Sequence, residues 1–224
     1  MRREPSADRF AERLRGFGPV GVLAIVVIFA GNFLFLPLSA LLVLAWAWRS
    51  GTPWSAIGFV KPKSWVGGAI VGVIFGVAFK LVMKAIVMPL LGVEPINQAY
   101  HYLAGNTAAL PGAFYMMVVG AGFGEETMYR GFLFERLGKL IGRGVWARVG
   151  TVLLGAALFA SAHYPEQGIA GAEQAMITGL VFGSIYAMTG RLWTVMSAHA
   201  AFDLAAVGII YWDLEMRVAH AVFR

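Results

Sequence analysis

Residues 110–130 read LPGAFYMMVVGAGFGEETMYR, an apolar run that ends in two adjacent carboxylates, Glu125 and Glu126, and a guanidinium, Arg130. Ionisable groups at membrane depth cost several kcal/mol each and are kept because they pair with one another or do chemistry. On a helix, Glu126 and Arg130 are four residues apart and share a face, so a charge-assisted pair between them is geometrically natural. Glu125 points about 100° away and has no such cation on its own helix. It is the carboxylate available for general-base chemistry.

The whole chain fits a membrane setting for this stretch. Of its 224 residues, 59% are hydrophobic and 13% charged, and the mean hydropathy is +0.71, far from the balance of a soluble domain. We expect an all-α, polytopic transmembrane helical bundle with about six to seven membrane helices. The expected organisation is a basic amphipathic N-terminal segment at 1–17 and a single transmembrane domain at 18–224, with the core of the site at about 110–212. The net charge of +6 comes from Lys and Arg clustered beside apolar runs, which reads as topological charge facing anionic lipid and not as a nucleic-acid surface. There is no cysteine, which excludes a disulfide framework, a thiolate nucleophile and any Cys-ligated metal.

The first segment holds Arg2, Arg3, Arg9, Arg13 and Arg15 around Phe10, Leu14 and Phe17, the pattern of a helix lying along a membrane surface. It does not read as a cleavable signal. Residues 20–48 carry no charge and are long enough for one tilted span but short for two full ones, with Gly31, Asn32 and Pro37 as breaking points. One long helix and a hairpin of two short ones both remain open, and with them the orientation of the protein. A span at 65–91 places Gly68, Gly72 and Gly76 on one face, the small-residue spacing that lets backbones approach closely. Lys80 and Lys84 near its far end are expected to snorkel to the interface.

The polar stretch 92–111 is expected to be a loop outside the bilayer or a partly re-entrant lid. The span through Glu125 runs on to about Ile141, and Arg136, Lys139, Arg143 and Arg148 form the most basic short loop, placed in the cytoplasm. A helix at 149–163 should stop at Tyr164-Pro165, followed by a short acidic connection at 166–173. Further spans follow at 174–189, with Gly179 and Gly183 at small-residue spacing, and from Leu192 to Trp212. Two of the four histidines, His163 and His199, fall in these apolar helices, and Asp203 follows His199 by four residues.

Glu125-Glu126-x-x-x-Arg130, then Phe159-x-x-x-His163, then His199-x-x-x-Asp203, in that order on successive apolar helices, resemble the three-motif signature of the CPBP family. That family comprises CAAX-type prenyl endopeptidases and bacterial relatives linked to bacteriocin processing and self-immunity. The resemblance covers roughly residues 110–211, and Ile57-Gly58-Phe59 is similar to a weaker family feature. It implies a glutamate-dependent intramembrane endopeptidase of a prokaryotic plasma membrane, acting on a membrane-associated protein or peptide, with the lipid bilayer as its other partner and no nucleic acid. By position, Glu125 would activate a water together with His163, and Glu126 and Arg130 would hold the helix and its charge. His199 and Asp203 would position the substrate carbonyl or stabilise its oxyanion.

Asp203 stands where the prenyl-protease branch typically has Asn, and an ionised Asp cannot donate to an oxyanion. Asp203 then reads as an acceptor that holds His199 as the donor, or as a protonated acid, and a prenylated substrate is less favoured. The resemblance points to a glutamate mechanism and leaves metal dependence open; the expectation is no cofactor. Were zinc or another divalent metal bound, Glu125, His163 and His199 would be its ligands, although no H-E-x-x-H pair is present. Two other functional classes use the same residues: a non-catalytic binding or immunity protein, and a proton-coupled transporter relaying charge through Glu125, Glu126 and His199. Against the transporter, the chain has no repeated halves and no paired broken helices.

Overall fold

The computed structural model describes residues 8–32, 34, 35, 37–142 and 144–223. The described residues form helices and short turns, with no strand among them. Four helices are long and apolar enough to cross a membrane, or five if a bent pair near the N-terminus counts as one span. This count does not confirm the expected six to seven spans, and two stretches carry helix breaks that bear on it.

The first is the charge-free run at 20–48. Helix α2, Pro19–Gly31, and helix α3, Leu38–Ser50, are separate and pack against each other as a hairpin. Each has 13 residues, about 20 Å of rise against a hydrocarbon layer of about 30 Å. A short helix α1, Arg9–Arg15, precedes them, capped by the Asp8 carboxylate on the amides of Phe10 and Ala11. α1 is anchored through Trp46, whose indole donates to the Leu14 carbonyl. The Arg49 guanidinium bonded to Asp8 holds that carboxyl below the usual carboxylate range. Arg2 and Arg3 of the expected amphipathic segment lie outside the described residues.

Helix α4 spans Trp65–Leu90 and helix α5 spans Thr107–Ile141. Over Met116–Leu133 the backbone of α5 is wound in wide π turns, a form that is rare and recurs at functional sites. Arg136 and Lys139 lie on the last turns of α5, not in a loop, and Arg136 is buried against Glu135. Arg143 lies outside the described residues.

The second such stretch is helix α6, Val145–Thr189. Proline was expected to stop it at 165, yet the helix passes through Pro165 and breaks three residues later at Gly168, whose φ is 64°. Proline removes one backbone bond and kinks a helix, whereas a left-handed residue turns the chain, and glycine takes that conformation without steric cost. The acidic stretch 166–173 is thus helical on both sides of the break. Helix α7, Leu192–Tyr211, packs closely along α4, and the reason is the expected glycine face. A Cβ on Gly72 would meet the Thr194 carbonyl oxygen at 2.6 Å, and one on Gly76 would collide with the Ala198 carbonyl.

Between α4 and α5 the stretch 92–106 folds back over one end of the bundle, where Leu103 buries against Val207 and Ile210. A short helix α8, Glu215–Ala219, pins it. The buried Glu215 carboxylate accepts from the Asn97 amide at 2.8 Å and stands 3.3 Å from both Lys84 Nζ and His101 Nδ1. Lys84 also donates to the Pro95 carbonyl. Lys84 is therefore a strap for the loop and does not snorkel.

Replacing Glu215 by Ala should free this strap. We expect faster amide hydrogen exchange across 94–103 and a stability loss of about 2 kcal/mol, modest because the His101 partner is part-exposed. Unchanged exchange over that stretch would contradict the role given to Glu215.

Candidate active site

The glycines that precede the carboxylates bring two helices together. A Cβ on Gly122 would lie 2.9 Å from the Ala200 Cβ and 3.1 Å from the Met196 carbonyl oxygen, so α5 and α7 approach here as only small residues allow. This approach carries His199 to Glu126, 73 residues away in sequence, with Nδ1 to Oε1 at 2.6 Å. The same Oε1 lies 2.9 Å from Arg130 Nη1. Arg130, Glu126 and His199 are thus one buried chain of charge. The guanidinium is further covered by the rings of Phe159 and Phe182, at 4.5 and 5.9 Å from their centroids, a cation–π arrangement strengthened by the burial of Arg130.

Glu125 lies on the other side of this chain. It lines a cavity of about 100 Å³ together with His163, His199, Asp203, Lys80 and Tyr100, while Glu126 and Arg130 do not line it. His163 is reached from the first arm of α6, where its Nδ1 bonds the Phe159 carbonyl at 2.9 Å. A carbonyl only accepts, so the proton sits on Nδ1 and Nε2 is the free nitrogen. The Phe-x-x-x-His spacing has a local physical meaning here: the residue four before the histidine supplies the carbonyl that sets its tautomer, and its ring packs on the imidazole at 4.4 Å.

His199 presents Nε2 to two more carboxylates, 3.5 Å from Asp203 Oδ2 and 3.9 Å from Glu125 Oε2. The short bond of His199 is made by Nδ1 to Glu126, and Asp203 faces the opposite nitrogen. Glu126 is already paired with a cation and only accepts, so His199 Nδ1 carries a proton. An unprotonated Nε2 would set a lone pair against two carboxylates, and one proton within that triangle removes the repulsion.

All seven residues named in the three motifs therefore fall in one region, Glu125, Phe159, His163, His199 and Asp203 on the cavity wall and Glu126 and Arg130 beside it. Among the described residues, no group of three His, Asp or Glu side chains is gathered as a metal site. The polar lining also includes residues that the sequence reading passed over. Lys80, expected to snorkel, is 5% exposed and donates to Gln174 Oε1 at 3.0 Å. Its distance from the helix end held the clue: ten residues before Leu90 is about 15 Å of rise. Tyr100, from the covering loop, accepts from Gln167 at 3.3 Å. Burial, and then the nearby Asp203, Glu166 and Glu125 carboxylates, push its phenol up to about 12, so it stays a neutral donor.

The described residues thus form a helical bundle with four apolar helices long enough to cross a membrane and a polar cavity of about 100 Å³ in which carboxylates and histidines converge. Residues 107–205 match the family model of type II CAAX prenyl endopeptidase Rce1-like proteins. The match covers all three motifs but less than half of the chain, so over this stretch the chain is similar to a family of endopeptidases. No curated protein and no solved structure matches the chain.

The buried charge chain makes a stability prediction. Arg130→Met strands the Glu126 carboxylate and should cost about 3–5 kcal/mol, while the double variant Glu126→Gln/Arg130→Met should recover most of that loss. Unfolding in mixed detergent measures both, and an Arg130→Met protein as stable as the wild type would contradict the pairing.

Proposed function

We propose that this protein is a glutamate-dependent intramembrane endopeptidase in which Glu125 activates water. The observation that carries the reading is the division of the two adjacent carboxylates: Glu126 is spent on Arg130 and His199, and Glu125 faces the cavity with His163. A water held between Glu125 and His163 Nε2 loses a proton to Glu125 as its oxygen attacks the scissile carbonyl. The negative charge that develops on the carbonyl oxygen needs a donor, and the His199 Nε2 proton, held between Asp203 and Glu125, is the one the cavity supplies. Collapse of the tetrahedral species breaks the C–N bond, and the proton taken by Glu125 passes to the departing amine. One water is consumed, and a carboxylic acid and an amine are formed.

The substrate in this reading is a membrane-associated protein or peptide, and the setting is a prokaryotic plasma membrane, on the resemblance to bacterial relatives. The cavity is buried between apolar helices, so a segment must be brought to it from the bilayer or its surface. Asp203 in place of Asn makes the oxyanion donor His199 and not the residue at 203.

Comparing the termini of membrane proteins from cells carrying the wild type, Glu125→Gln or His163→Ala tests this. We expect a terminus generated by the wild type to be absent with Glu125→Gln and reduced with His163→Ala by about 10²-fold or more, the scale of general-base catalysis. The same terminus formed at wild-type rate by both variants would overturn the proposal.

A further inference from the structure

The hydrolytic scheme leaves one charged wall residue of the cavity unused. Lys80 on α4 is buried, and its ammonium donates to the neutral Gln174 amide and rests 4.6 Å above the Phe202 ring centroid. Lys84, one turn on, is neutralised by Glu215. Lys80 has no carboxylate in direct ion-pair contact among the described residues, and Asp203, which lines the same cavity, lies 3.5 Å from His199 Nε2. An ammonium has three donors, and a desolvated cation without a contacting anion is costly to keep.

Its place gives that charge a use. Lys80, Asn97, Gln167 and Gln174 line both the cavity of Glu125 and a larger adjoining one of about 740 Å³ beneath the covering loop. Lys80 thus stands at the junction, where anything passing from the outer space to Glu125 meets its ammonium. The outer space is lined by Glu94, Glu166 and Glu173 and by the mutually neutralised pair Lys84 and Glu215, which leaves Lys80 as its cation without a contacting carboxylate among the described residues. No arginine lines either cavity, so the junction offers one point charge and not the fork that a phosphate dianion favours.

We propose that Lys80 is a recognition residue for a carboxylate of the bound peptide, holding it at the junction while the chain beyond lies against Glu125. The inference rests on the peptidase reading for the nature of the ligand, since a peptide carries its anionic charge as a C-terminal carboxylate or an acidic side chain. Both present the same planar group to the ammonium, and Gln174 orients that ammonium by holding one of its donors.

Thermal stabilisation of the purified full-length protein in nanodiscs by three probes tests this: acetyl-Leu-Leu with a free carboxylate, acetyl-Leu-Leu-amide, and acetyl-Glu-Leu-amide. We expect at least one carboxylate probe to bind about tenfold or more tightly than acetyl-Leu-Leu-amide, the scale of a hydrogen bond to a charged group. A preference for the first probe identifies a chain terminus, and a preference for the third an acidic side chain. The preference should survive in part in Lys80→Arg and vanish in Lys80→Met and Lys80→Gln, the latter keeping a polar contact to Gln174 should the methionine variant fold poorly. Equal binding of carboxylate and amide probes by the wild type, no binding of any carboxylate probe, or a preference intact in both neutral variants would overturn the assignment. Repeating the series in the Glu125→Gln background separates the two claims, because recognition is read there without hydrolysis.

Discussion

A guanidinium inside an apolar bundle has to be neutralised by the fold itself, because no solvent is there to do it. Arg130 meets that constraint through Glu126 and through the faces of Phe159 and Phe182, and Glu126 in turn fixes His199. Three helices are tied by this one chain: α5 supplies the ion pair, α6 the aromatic cover and α7 the imidazole. The glycine at 122 on α5 serves the same demand, since a bond of 2.6 Å between Glu126 and His199 requires the backbones of α5 and α7 within reach of each other.

With Glu126 and Arg130 sealed, Glu125 is the carboxylate of this stretch that remains on the cavity side. Glu125 is one residue along the chain from Glu126, yet its surroundings differ in kind: a free imidazole nitrogen of His163, a second imidazole shared with Asp203, and a covering loop that brings Tyr100. The loop depends on a second buried carboxylate, Glu215, which gathers Lys84, Asn97 and His101. The molecule thus places buried acid at two levels, one to hold the floor of the cavity and one to hold its cover.

Local spacing made part of this legible. The Glu126–Arg130 pair follows from a four-residue helical interval, the close packing of α4 from glycines four apart, and the site residues from the order of three motifs. What the sequence did not yield depends on distance or on competition between local signals. The Glu126–His199 bond joins residues far apart in the chain and no interval announces it. Pro165 and Gly168 both could end a helix, and the glycine won because a positive φ redirects the backbone whereas proline only removes one bond. Lys80 was assigned to the interface by its neighbourhood with Lys84, although its depth along α4 places it with the cavity. The short hairpin at 20–48 was one of two open readings, decided by where the break falls and not by hydrophobicity.

The central claim is that two neighbouring carboxylates have separate fates, one open to the cavity and one sealed. Carbodiimide coupling of glycine ethyl ester to the native protein in lipid bilayers, with the modified residue located by fragment mass spectrometry, measures this directly. The account predicts labelling of Glu125 in the folded protein and of Glu126 only after unfolding. Labelling of Glu126 at the same rate as Glu125 in the native state, or of Glu126 alone, would contradict it.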